Sequence, residues 1–98
     1  MTDLSEIIDR SLRLALLRLL SEAPGYSANH AVLTSAAVSL GFHVSRDKVR
    51  TTLDWLKEQG LISIDDLGGV VVAHCLQRGL DVASGMATVT GVDRPSPR

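Results

Sequence analysis

The chain is poor in aromatic residues, with one Trp, one Tyr and one Phe among 98 residues. Its core must therefore come from Leu, Val, Ile and Ala, and Trp55 is its one large aromatic plate. A single cysteine, Cys75, excludes an intrachain disulfide and suits a reducing compartment. His74 adjoins it, but two neighbouring residues cannot close a tetrahedral metal site, and His30 and His43 lie far off in sequence. No metal or other cofactor is expected. No apolar run reaches the roughly 18–20 residues of a membrane span. The opening MTDLSEIIDR is acidic and lacks the basic segment of a secretory signal, so a cytoplasmic location is expected. There is no cationic excess either: ten Lys and Arg face eleven Asp and Glu, for a net charge of −1. That balance weighs against indiscriminate attraction to nucleic acid, although only a contacting face has to be positive.

What is present is periodicity. The length suits one domain with a modest core. Leu4, Ile7, Ile8, Leu12, Leu16, Leu19 and Leu20 recur at helical spacing over 4–23, and Asp3 with Glu6 makes a capping-box-like start. Leu14 and Leu17 widen this apolar stripe, so the helix is buried on most sides by its own domain or packs on a second subunit as well. APGYSAN breaks the helix, and Ser27 or Asn29 can cap the next one, over 29–40, with Val32, Leu33, Ala36, Ala37 and Leu40 inward. Gly41 stops it. A third helix over 45–59 has Ser45 as its cap and Val49, Leu53 and Leu56 as its seam, ended by Gly60. Trp55 adjoins that seam and is expected in the core. LISIDDLGGVVVAHC reads as a hairpin turning at Gly68-Gly69. A short fourth helix follows from about residue 76 to Gly85. Residues 1–85 thus make the domain, and 86–98 an extended tail.

The order helix, helix, turn, helix, glycine, hairpin is that of a winged helix-turn-helix. VSRDKVRTTLDWLKEQGLI resembles the third helix of ArsR-like and MarR-like proteins: a capping Ser, a Val four residues on, Leu-x-x-Leu, then Gly-Leu-Ile entering the hairpin. The similarity runs on through GGVVVAHCLQRGLDVASGMATVTGVDRP, and nearly the whole chain is similar to a family of small ArsR-like winged-helix proteins of Mu-like bacteriophages and prophages. The resemblance implies a mainly α fold with a small β-hairpin: a three-helix core, a two-stranded wing, a short C-terminal helix and an extended tail. It implies the cytoplasm of a bacterial host. The sensor cysteines of metal-responsive ArsR repressors are absent, so metal regulation is not implied.

A winged helix that regulates transcription lays its third helix in the major groove. Arg46 and Arg50 are the type that grips guanine O6 and N7, and Thr51 can meet a phosphate or a thymine methyl. Lys48 and the backbone N–H groups behind Ser45 suit phosphate. Ser45, Arg46, Lys48, Arg50 and Thr51 are therefore the candidate DNA-binding residues, in a homodimer formed through the first helix and the C-terminal segment. Several features oppose this. Residues 45–58 hold four cations against three anions, and Asp47 or Asp54 can pair with Arg50 at helical spacing. The wing tip carries Asp65 and Asp66, which a phosphate backbone repels, and tail cations Arg94 and Arg98 are partly offset by Asp93. The alternative is a winged fold used to dock a phage or host protein during assembly. No nucleophile–base spacing or phosphate loop marks an enzyme; Asp65-Asp66 read as turn chemistry and solubility.

Overall fold

The computed structural model describes residues 3–96. Helix α1 spans Leu4–Glu22, and its first turn is closed by Asp3, whose side chain accepts from the Glu6 N–H at 2.8 Å. Leu12, Leu16, Leu17 and Leu20 are fully buried and Leu14 nearly so. This breadth is used within the chain, since α1 packs against α2 (His30–Ser39), α3 (Arg46–Glu58), β3 (Val70–Cys75) and α4 (Gln77–Ser84). Its first turns project past those partners. Leu4 is 69% exposed and Ile7 and Ile8 are also exposed, contrary to the expectation of one continuous buried face.

A tight turn at Pro24–Tyr26, with Gly25 and Tyr26 both left-handed, leads into a strand the sequence did not announce. Strand β1, Ser27–Asn29, pairs antiparallel with β3 (Ser27 opposite His74, Asn29 opposite Val72). The expected two-stranded wing is thus the larger part of a three-stranded sheet in the order β1-β3-β2, with β2 at Ile62–Leu67. Three residues are too few to display the alternation of a strand, and β1 forms because β3 offers it an edge.

Asn29 caps α2, its side chain accepting from the Val32 N–H at 2.8 Å. Leu33 and Ala37 are buried as expected, while Val32 and Leu40 are 56% and 59% exposed. In HAVLTSAAVS the polar His30, Thr34, Ser35 and Ser39 are spread over half the circumference, so the pattern selects no sharp face. α3 follows its expectation closely. Ser45 caps it, Val49, Leu53 and Leu56 are fully buried, and beyond Gly60 the Leu61 N–H donates back to the Leu56 carbonyl. β2 and β3 turn at Gly68-Gly69, both at positive φ as a two-residue hairpin needs. α4 ends at Gly85 in the left-handed cap.

Residues 86–96 form no helix or strand but are held on α1. The Arg13 Nη1 donates to the Gly91 carbonyl at 2.9 Å, the Asp93 N–H donates to the Arg10 carbonyl at 3.3 Å, and Val92 is buried. Arg13 also lies 3.9 Å from the centroid of the Trp55 ring. Trp55 accordingly bridges α3, α1 and the tail. Four helices and a three-stranded antiparallel sheet make a mixed α/β unit that fits a winged-helix-like arrangement. Among the described residues no helix is long and apolar enough to cross a membrane.

Candidate functional site

The five candidate residues all lie at the start of α3, but they do not share one face. At about 100° per residue, Arg46, Arg50 and Lys57 fall along one edge of the helix. Asp47, Thr51, Asp54 and Glu58 form the outermost ridge between the edges. Lys48 lies about 160° round from Arg50, on the opposite edge. It turns towards α1, where its Nζ meets the Asp9 carboxylate at 2.8 Å. Lys48 is therefore brought to a helix–helix junction and not to the cationic edge. Ser45 is likewise engaged, its Oγ accepting from the Lys48 N–H at 3.0 Å as the helix cap.

Arg46 and Thr51 are exposed, and Arg46 makes no ion pair among the described residues. Arg50 is held from two directions. Its Nε donates to Asp54 Oδ1 at 3.3 Å, the i,i+4 pairing the spacing allows, and its Nη1 lies 3.7 Å from Asp66 Oδ2 in the hairpin. Asp66 is itself fixed, because its Oδ1 accepts from the Gly69 N–H at 3.2 Å across the turn. One carboxylate thus closes the hairpin and ties it to α3. Arg94 is exposed in the tail, and Asp93 faces Arg10 at 3.8 Å. Arg98 lies outside the described residues.

Asp65 belongs to a different cluster. Its Oδ2 lies 2.9 Å from His74 Nε2, and His74 Nδ1 lies 2.6 Å from Ser27 Oγ. With the His74 proton on Nε2, the ring donates to Asp65 and accepts from Ser27. The Ser27 hydroxyl is also 3.1 Å from the Gly25 carbonyl, and its one proton cannot serve both. Serine, histidine and aspartate in this order resemble a hydrolase relay. However, none of the three hollows lined by Leu4 and Ile8, by Leu19 and Leu40, or by Tyr26 and Asp81 includes Ser27, His74 or Asp65. The cluster joins β1 to the hairpin across the outer face of the sheet. No spacing rule could reveal it, because it depends on the unannounced strand.

Cys75 and His74 are neighbours on a strand, so their side chains point to opposite faces. Burial pushes the Cys75 thiol up from 9.0 to about 11, and a thiol that holds its proton is a poor metal ligand. Among the described residues no group of three or more His, Cys, Asp or Glu is placed to hold a metal ion.

The fold and this surface define a small helix-and-hairpin domain whose charged face joins α3 to the hairpin. The chain belongs to the family of gp26 of Escherichia phage Mu, an uncharacterized protein to which it is 41% identical over 95 residues, or 97% of this chain and 98% of that one. An uncharacterized protein of Haemophilus influenzae is 47% identical over 76 residues, 76% of this chain and 74% of its own. No family model matches the sequence. The Mu relationship establishes a Mu-like phage protein family.

Proposed function

We propose that this chain is an ArsR-like winged helix-turn-helix protein that binds double-stranded DNA as a homodimer in the bacterial cytoplasm, regulating phage or prophage transcription and catalysing no reaction. α3 lies in the major groove, with Arg46 and Arg50 on base edges, Thr51 beside them and Lys57 towards a phosphate. The observation that carries this reading is the cationic edge of α3, which stands beside the hairpin and leaves Arg46 exposed. Ser45 acts by shaping the start of the helix, and Lys48 reaches phosphate only by leaving Asp9. Exposed ion pairs are worth about 0–1 kcal/mol, so leaving Asp9 costs Lys48 little. The exposed Leu4, Ile7 and Ile8 support a dimer contact at the start of α1. The tail, which lies on α1 of its own chain, contributes to that contact from its outer side.

A salt titration of binding to the phage's own intergenic DNA, with Arg46→Ala/Arg50→Ala beside the wild type, tests this reading. Tight binding to one fragment and loss in the double variant are expected, since a bidentate Arg–guanine contact is worth about 1–3 kcal/mol. Equal, feeble binding of every fragment by both proteins would sink the DNA reading.

A second reading is favoured by one specific observation. A hollow of about 420 Å³ lies between the start of α1 and the start of α3, lined by Leu4, Ile8, His43 and Val44 with the Asp9–Lys48 ion pair at its side. Another of about 320 Å³ lies between α1 and Leu40. These hollows suit an apolar segment of a phage or host protein, with the winged fold serving assembly in place of DNA binding. Mixing the protein with phage structural proteins and observing Leu4→Asp-sensitive co-elution, without DNA, supports this alternative.

A further inference from the structure

Arg50 contacts two carboxylates through different nitrogens, and the difference has a consequence. Asp54 takes Nε, the nitrogen that points back along the side chain, from the same helix. That contact fixes the plane of the guanidinium and leaves Nη1 and Nη2 as a fork, the geometry that meets guanine O6 and N7. Asp66 sits against Nη1, one prong of that fork, from the hairpin. The Asp66 contact is the longer of the two, at 3.7 Å against 3.3 Å. Asp66 does not depend on Arg50 for its position, because the Gly69 N–H holds its other oxygen. It therefore remains beside the fork when Arg50 turns to another acceptor.

We propose, building on the DNA-binding reading, that these carboxylates are positioning residues of opposite effect: Asp54 aims Arg50 at a base, and Asp66 competes with DNA for Nη1. Docking exchanges the Asp66 contact for a base edge and keeps the Asp54 contact. The hairpin thereby loses its ion pair to Arg50 as DNA is engaged, while the Leu61 N–H still holds it to the Leu56 carbonyl. Weak, sequence-independent encounters leave the Asp66 contact intact, because a phosphate alone gains little over a carboxylate already in place.

The test compares Asp66→Asn, Asp54→Ala, Asp65→Asn and Arg50→Ala, with Asp66→Asn/Arg50→Ala, on the phage's intergenic fragment and on a scrambled fragment. An Asn at 66 can still accept from Gly69, so the turn is kept; Asp66→Ser, whose hydroxyl accepts the same bond, repeats the arm if the amide variant melts early. Each of the three single Asp substitutions removes one negative charge from the same region, so a general charge effect strengthens binding in all three. The proposal expects otherwise. Asp66→Asn should bind the intergenic fragment about twofold to fivefold more tightly, the scale of an exposed ion pair. Asp54→Ala, which removes the acceptor of Arg50 Nε, should bind it more weakly and lose preference over the scrambled DNA. Asp65→Asn, which contacts His74 instead, should change affinity less than Asp66→Asn. The gain from Asp66→Asn should vanish in the Arg50→Ala background.

A gain that persists without Arg50, equal gains at positions 65 and 66, or the same direction of change at 54 and 66 overturns the proposal, while the DNA reading stands if Arg50→Ala still weakens binding. If wild type and all variants bind both fragments equally and feebly, the DNA reading falls and this proposal with it.

Discussion

Gly79 sets two helix rules against each other. It lies inside α4, where replacing Gly by Ala is ordinarily stabilising by about 1 kcal/mol. Here a methyl group at the Cβ position would overlap the Leu61 carbonyl oxygen and stand 2.7 Å from Cys75 Sγ. The oxygen is backbone, at the entry to β2, and cannot swing aside as a flexible side chain does. It also accepts the Leu76 N–H at 3.0 Å, the bond that sets the start of α4 against the hairpin. Relief of the overlap therefore needs α4 to lift or β2 to shift, and overpacking of this kind costs about 1–3 kcal/mol or more. The steric penalty exceeds the helical gain. Gly79→Ala should lower the melting temperature followed by far-ultraviolet circular dichroism, by about 4–8 °C for each kcal/mol of net loss. Ser84→Ala, on the exposed side of the same helix, should change it little. An unchanged or raised melting temperature for Gly79→Ala would show that α4 is not seated on the Leu61 carbonyl and would refute the reasoning.

Three further outcomes are expected. The raised Cys75 pKa means that the folded chain keeps its thiol proton longer than the unfolded chain does, so stability should fall as pH rises from 9.0 towards about 11. For a half-buried thiol that loss is about 1–2 kcal/mol, measurable by urea unfolding across this range; an equal slope in Cys75→Ala would assign it elsewhere. Arg13→Ala removes both the guanidinium over Trp55 and the bond to Gly91, which should cost about 1–2 kcal/mol and shift the emission of the single Trp to longer wavelength as the tail lifts. An unshifted spectrum would mean that the tail is held without Arg13. Leu16→Ala should cost about 2–5 kcal/mol, whereas Leu4→Ala should leave dilute-solution stability unchanged and weaken self-association in sedimentation. A Leu4 variant that melts early when monomeric would contradict the exposed placement of that turn.

The parts of the fold that show in the sequence are those decided by neighbours in the chain. Asp3, Asn29 and Ser45 each cap a helix by bonding to an N–H three residues on. Gly60, Gly68-Gly69 and Gly85 mark the positive-φ positions at the hairpin and helix ends. The Val49, Leu53, Leu56 seam is strongly periodic and faces inward as its spacing requires. Where the pattern is less sharp it informs less: the polar residues of α2 spread over half its circumference, and the stripe of α1 continues past the residues that cover it. β1 is hidden because its stability resides in its partner strand.

The candidate site divides in the same way. Asp54 and Arg50 are a helical turn apart, and their pairing is written in their spacing. Asp9 and Lys48, or Arg50 and Asp66, meet only because the chain returns upon itself, and no local rule connects them. The return also changes the reading of the two acidic wing residues. Taken alone, Asp65 and Asp66 speak for solubility and against a phosphate backbone. In the folded chain each carries structural contacts: Asp65 is joined through His74 to Ser27 in β1, while Asp66 closes the turn and reaches Arg50. Their negative charge is thus tied to holding the sheet together and the hairpin against α3. Basic residues at both positions would attract phosphate, but they would leave His74, Arg50 and the Gly69 N–H without these acceptors. An acidic wing is therefore weak ground for excluding DNA, and the loss or retention of binding in Arg46→Ala/Arg50→Ala is the sharper discriminator.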